Sequence, residues 1–221
     1  MSFIELKNVS KIFHAGDEEY AALKGISLGI DSGEFVAVMG PSGSGKSTLL
    51  SLIGGLSRAS SGVVSIDDID LGSLGPNKLS DFRREYLGFV FQSFYLVPYL
   101  TAIENVMLPL TIQPGLNGEA SDMALGALSR VGLAEKAGRL PSQLSGGEQE
   151  RIAIARALVN SPALILADEP TGNLDTKTGN KVLEMLESLH ADGHTIVMVT
   201  HSEENAKRAG RTIEIRDGEV V

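Results

Sequence analysis

Apolar and polar positions alternate with different periods along this chain, and the change from one period to the other predicts its architecture. The N-terminal third reads as strands joined by turns. Residues 3–7 form a short strand, Gly16, Asp17, Glu18 and Glu19 an acidic loop, and residues 23–30 alternate as a half-buried strand does. Asp31-Ser32-Gly33 then turns the chain into Phe35-Val36-Ala37-Val38-Met39, an unbroken apolar run that suits a strand buried on both faces. Further strands are predicted over 63–66 and 87–91. The middle, about 94–143, holds Pro98, Pro109, Pro114 and Pro141 with helical stretches near 102–110 and 119–131. It reads as a helical lobe inserted between the 1–93 and 144–221 parts of a single domain. From Gly146 helix and strand alternate over 148–159, 163–167, 176–190, 195–200 and 203–208, before a hairpin signal at Ile213-Glu214-Ile215-Arg216 and Asp217-Gly218. Buried strands alternating with helices predict an α/β fold with a parallel sheet and right-handed crossovers.

Composition narrows the function. The 221 residues are 43% apolar and 21% charged, the balance of a folded globular chain. With no cysteine, disulfides, thiolate zinc, iron–sulfur clusters and a cysteine nucleophile are excluded. Nineteen Lys and Arg against 28 Asp and Glu give −9, which disfavours broad contact with nucleic-acid phosphates or anionic lipid. Residues 86–103 carry no charge and approach the ~20 residues of a membrane span. Gly88, Gln92, Ser93 and Pro98 make them a strand and a loop instead. The opening Met-Ser-Phe-Ile-Glu-Leu-Lys has no apolar h-region and is not a secretory signal. A membrane role therefore has to come through a partner.

The chemistry begins at Gly40-Pro41-Ser42-Gly43-Ser44-Gly45-Lys46-Ser47, which fits G-x-x-x-x-G-K-[ST] at every defined position, with Thr48 following. It lies between a buried strand and a helix over 47–53, the context in which backbone N–H groups and a helix N-terminus hold phosphates. Lys46 supplies a point charge to the β- and γ-phosphates of ATP or GTP, and the Ser47 hydroxyl ligates Mg²⁺. Leu164-Ile165-Leu166-Ala167 ends in Asp168-Glu169. Behind a phosphate loop, Asp168 is the carboxylate that can hold Mg²⁺ opposite Ser47, and Glu169 is placed to accept a proton from the attacking water.

Leu144-Ser145-Gly146-Gly147-Glu148, running into Gln149-Glu150-Arg151-Ile152-Ala153, resembles the L-S-G-G-Q signature of the ATP-binding-cassette (ABC) ATPases, with Glu148 in place of Gln. Two glycines opening a helix make a second anion site. A domain with one phosphate loop has no second phosphate for it, so the economical arrangement is a head-to-tail homodimer formed on ATP. The resemblance spans the chain. It implies a P-loop NTPase of ABC ATPase type: a mostly parallel core sheet, an N-terminal antiparallel β subdomain and an inserted α-helical lobe. It also implies adenine stacking on Phe13, a Gln92 that contacts Mg²⁺ and the catalytic water, a His201 that contacts the γ-phosphate, and an Asp175 in a loop, Gly172-Asn173-Leu174-Asp175, that communicates across the dimer. His14, His190 and His194 match nothing and are read as surface residues.

Gly88-Phe89-Val90-Phe91-Gln92, Leu100-Thr101-Ala102-Ile103-Glu104-Asn105-Val106 and Ala167-Asp168-Glu169-Pro170-Thr171 look like the branch that contains lipoprotein-releasing (LolD) and macrolide-export (MacB) ATPases. The cell-division ATPase of the FtsE type is a near relative. The branch implies an ATPase subunit, cytoplasmic and peripheral on the inner face of the cell membrane, that drives a separate integral membrane permease. Contact with that permease is expected about Ser93 to Thr101, where Phe94, Tyr95 and Tyr99 cluster, unless those rings pack the lobe. Two other classes compete. A DNA-acting ABC ATPase is disfavoured by the short separation of Thr48 from Leu144 and by the acidic charge, so no nucleic-acid partner is expected. An FtsE-like regulatory ATPase that gates a membrane partner without transport is left open.

Overall fold

The computed structural model describes residues 2–16, 18–111 and 118–221, and Asp17 and Pro114 lie outside the described residues. Its strands form two sheets. The first orders β2 (Glu18–Ile30), β1 (Ile4–Ala15), β4 (Ser61–Ile66) and β5 (Ile69–Asp70), all antiparallel. The second orders β10 (Glu219–Val220), β9 (Arg211–Arg216), β3 (Phe35–Met39), β8 (Thr195–Val199), β7 (Leu164–Asp168) and β6 (Leu87–Phe91), parallel except at β9–β10.

The period of two along the central strands explains why they are apolar throughout. Val36 and Val38, Leu164 and Leu166, and Val197 and Val199 point into one core, with α1 (Lys46–Ile53) and the inner face of the antiparallel sheet. Phe35 and Ala37, Ile165 and Ala167, and Ile196 and Met198 point into the other. There they meet α3 (Ala102–Met107), α4 (Glu119–Arg130), α5 (Gly146–Leu158) and α6 (Thr176–Ala191). Each fully buried Leu or Val contributes roughly 1.5–3 kcal/mol. The strand ends are therefore held rigidly, and the site residues stand on those ends. No helix among the described residues is long and apolar enough to cross a membrane.

Three readings need correction. The first strand does not stop at Lys7: it continues to Ala15 through irregular register, with Asn8 at φ 48° absorbing the break. Glu18 and Glu19 are not loop residues but start β2, opposite Ala15 and His14. The sequence also hides α2 (Pro76–Tyr86), which buries only Leu79 and Phe82. Its signals were Pro76 at the first position and the Leu79–Phe82 spacing.

Candidate functional site

The loop between β3 and α1 bends through Gly40, Gly43 and Gly45, at φ 148°, 79° and 107°. Gly45 precedes α1 in the left-handed region, and a Cβ there would lie 2.5 Å from the Ala22 carbonyl oxygen. Lys46 is buried and its ammonium donates to the carbonyls of Gly40 and Pro41, both at 2.8 Å, so the loop closes round its own cation. Ser44 is also buried, and its hydroxyl has no hydrogen-bond partner among the described residues. A loop that ends in an unpaired donor and a lysine satisfied only by carbonyls is a cradle for an anion.

Across from it, β7 delivers the two carboxylates. The Ser47 hydroxyl donates to Asp168 Oδ1 at 3.1 Å. Burial pushes the Asp168 carboxyl above its usual range, opposed by that hydrogen bond. Hydroxyl and carboxylate side by side form the hard-oxygen donor pair that suits Mg²⁺. Glu169 has left-handed backbone, φ 49°, fixed by its N–H to the Val199 carbonyl. That turn carries its Oε1 to 2.9 Å from His201 Nδ1 on the segment after β8. The carboxylate is mostly sheltered and the imidazole 72% exposed. Gln92, just past β6, comes close because Gly172 has no side chain: a Cβ there would fall 2.6 Å from Gln92 Nε2. Asn173 donates to the Gln92 carbonyl at 2.8 Å.

One cleft of about 490 Å³ is lined by Phe13, Ser42, Gly43, Gly45, Lys46, Ser47, Thr48, Gln92, Glu169 and His201, and Asp168 lies next to it at Ser47. Phe13 is exposed, with Lys11 Nζ 4.9 Å from its ring centre. Tyr20, which sequence reasoning missed, lies opposite Phe13 across the hairpin and donates its hydroxyl to the Gly43 carbonyl at 3.0 Å. Asp175 stands apart from the cleft, in an adjoining cavity that shares Glu169 and His201. It caps α6 by accepting from the Thr178 N–H at 3.1 Å, and its carboxyl is lowered by hydrogen bonds to Thr178.

The signature residues lie elsewhere. Leu144 is buried, while Ser145, Gly147 and Glu148 line a small cavity with Arg151, Thr178 and Lys181 that shares no residue with the cleft. Gly147 is required by close approach, since a Cβ would sit 2.1 Å from Thr178 Cγ2. Two histidines read as surface residues are half-buried and structural. His190 bonds the Gly33 carbonyl at 2.8 Å and packs on Phe35, and His194 bonds the Pro162 carbonyl at 2.8 Å. Both sit where a helix or turn meets the sheet, and a ring nitrogen there pairs with a part-buried backbone carbonyl.

Comparison with known proteins bears on family and fold. A family model described as ABC transporter matches residues 23–172. The chain is 49% identical over 218 residues to an uncharacterized ABC transporter ATP-binding protein, YvrO of Bacillus subtilis (strain 168), covering 99% of this chain and 95% of that protein. It is 48% identical over its whole length to the macrolide export ATP-binding/permease protein MacB of Neisseria meningitidis, of which it spans 34%. Among solved structures, the dimeric ATP-binding cassette MJ0796 in a post-hydrolysis state with ADP and Pi matches with a TM-score of 0.91 and 48% identity, over 98% of this chain and 96% of that one.

Proposed function

The chain belongs to the ABC transporter family of ATP-binding proteins and is an ATPase, and from that premise we propose that two copies close head to tail on ATP and drive an integral membrane permease. The observation that carries this reading is the separation of two half-sites. The phosphate loop and Glu169 share one cleft, with Asp168 joined to it through Ser47, while Ser145, Gly147 and Glu148 line another cavity.

In this reading Lys46 leaves the Gly40 and Pro41 carbonyls for the β- and γ-phosphates, and Ser44 offers its unpaired hydroxyl. The ring of Phe13 takes the adenine. Ser47, Asp168 and Gln92 would hold Mg²⁺, which when bound screens phosphate charge. Glu169 takes the proton of the attacking water, and His201, already at its carboxylate, keeps it aimed and contacts the γ-phosphate. Ser145, Gly146 and Gly147 of the second copy complete the phosphate shell, and Asp175 adjoins the same junction.

The permease contact falls at residues 93–101. Within that stretch Tyr95 lines a mostly apolar groove of about 450 Å³ together with Leu56, Arg83, Phe89, Phe91 and Pro109. In this reading the chain works at the cytoplasmic face of a membrane. Export or lipoprotein release fits the macrolide-export relatives, which carry a permease in the same polypeptide by name.

Glu169→Gln tests the core of this reading. It should leave ATP binding intact, cut hydrolysis by about 10²–10⁴-fold, and accumulate an ATP-bound dimer in sedimentation. Turnover near the parent rate would remove Glu169 from proton transfer.

A further inference from the structure

Glu148 poses an electrostatic problem for the proposed dimer, on which this inference rests. It stands in the first turn of α5, at the end that would meet the γ-phosphate held by a second copy. A bare carboxylate there would repel a polyphosphate and cancel the positive potential of the helix N-terminus.

The carboxylate is not bare. Its Oε2 accepts from the Ser145 N–H and from the Ser145 hydroxyl, both at 2.9 Å. Its Oε1 forms an ion pair with Lys136 Nζ. These contacts, Lys136 first, hold the carboxyl down at about 2, so it is ionised at any working pH. Lys136 arrives from a different element, the 3-10 turn Ala134–Lys136 after α4. Glu148 is the ion-pair partner of Lys136 among the described residues. Arg151 and Lys181 line the cavity with Glu148, and Lys136 offsets the carboxylate itself from outside that lining.

We propose that Lys136 is a positioning residue for ATP-driven dimerisation: by neutralising Glu148 it lets the signature helix receive the γ-phosphate of ATP bound to a second copy. It touches neither nucleotide nor reacting atoms, and it acts through Glu148. Two consequences separate this role from simple packing. Loss of the Lys136 charge should matter only while Glu148 is a carboxylate. It should also leave ATP binding by the monomer alone, because the cavity and the nucleotide cleft share no residue.

The experiment is a double-mutant cycle in the full chain carrying Glu169→Gln, with ATP-dependent dimer dissociation constants measured by sedimentation at fixed ionic strength. Lys136→Met keeps the apolar stem and should weaken the dimer about tenfold when residue 148 is Glu. In the Glu148→Gln background the same change should cost less than about twofold. Lys136→Arg should retain the parent affinity, and monomer affinity for ATP should not move in any variant. Equal losses in both backgrounds, or no loss in either, would overturn the proposal while leaving the dimer reading intact. If the parent chain forms no dimer with ATP at all, the dimer reading falls and the proposal with it.

Discussion

Glu150 is wholly buried on α5, and neither carboxylate oxygen meets a hydrogen-bond partner among the described residues. Burial raises its pKa from 4.5 to about 8, with the Arg156 charge opposing. Between those values the folded chain keeps a proton that the unfolded chain has released. Stability therefore falls as pH rises from about 4.5 to about 8, and levels off above. Gln has the same shape without the proton. Glu150→Gln should leave the melting temperature nearly unchanged at pH 4.5 and raise it progressively towards pH 8. Each pH unit between the two values is worth about 1.4 kcal/mol, so the gain in stability reaches a few kcal/mol. A gain independent of pH, read by thermal melts across that range, would mean the carboxyl is not the source. The site shows the same contrast between what one residue's register reveals and what its surroundings decide. Gly40 to Ser47, Asp168 and Glu169 were legible because their chemistry needs fixed spacings next to buried strands. Tyr20 was not, because reading residues 16–19 as a loop broke the hairpin register that puts it opposite Phe13.

Among the elements, apolar strands buried on both faces gave the clearest pattern, and Phe35–Met39 and Leu87–Phe91 were read to the residue. The polar helix α2 left little pattern because two buried side chains suffice to anchor it. The turn after β6 is a further case that spacing alone leaves open. Phe94 and Tyr95 have φ of 57° and 47°, and Arg156 donates to both their carbonyls, at 2.7 and 2.6 Å. This backbone is held from behind, while Tyr95 and Tyr99 are 66% and 79% exposed. Packing of the lobe is thus not the task of those two rings. Rings presented on a fixed turn beside an apolar groove suit a docking surface. Tyr99→Ala should change stability by no more than about 0.5 kcal/mol, preserve ATPase activity without partner, and weaken cosedimentation with permease-containing membranes. A loss of roughly 3–5 kcal/mol, the scale of a core aromatic, would return Tyr99 to the packing role.

At the scale of the whole molecule, the two proposed half-sites line separate cavities of one chain, the cleft and the signature cavity having no residue in common. If each catalytic site needs the cleft of one copy and the signature of another, defects in different halves must complement. Lys46→Ala removes the cation of the cleft, and Ser145→Arg fills the space at the signature with a bulky side chain. Either variant alone forms only dimers in which both sites are spoiled. A mixed dimer differs: the cleft of the Ser145→Arg copy faces the signature of the Lys46→Ala copy, and both of these are intact. The second site of that dimer carries both defects. Mixing equal amounts should yield half mixed dimers by random exchange, each with one working site. Activity should then recover to roughly a quarter of the parent rate where sites turn over independently. The measurement is phosphate release after mixing, titrated against the ratio of the two variants, with a maximum expected at equal amounts. Sites contained within single chains would give no recovery at any ratio, and full parent activity in a chain kept monomeric by dilution would rule out the shared site directly.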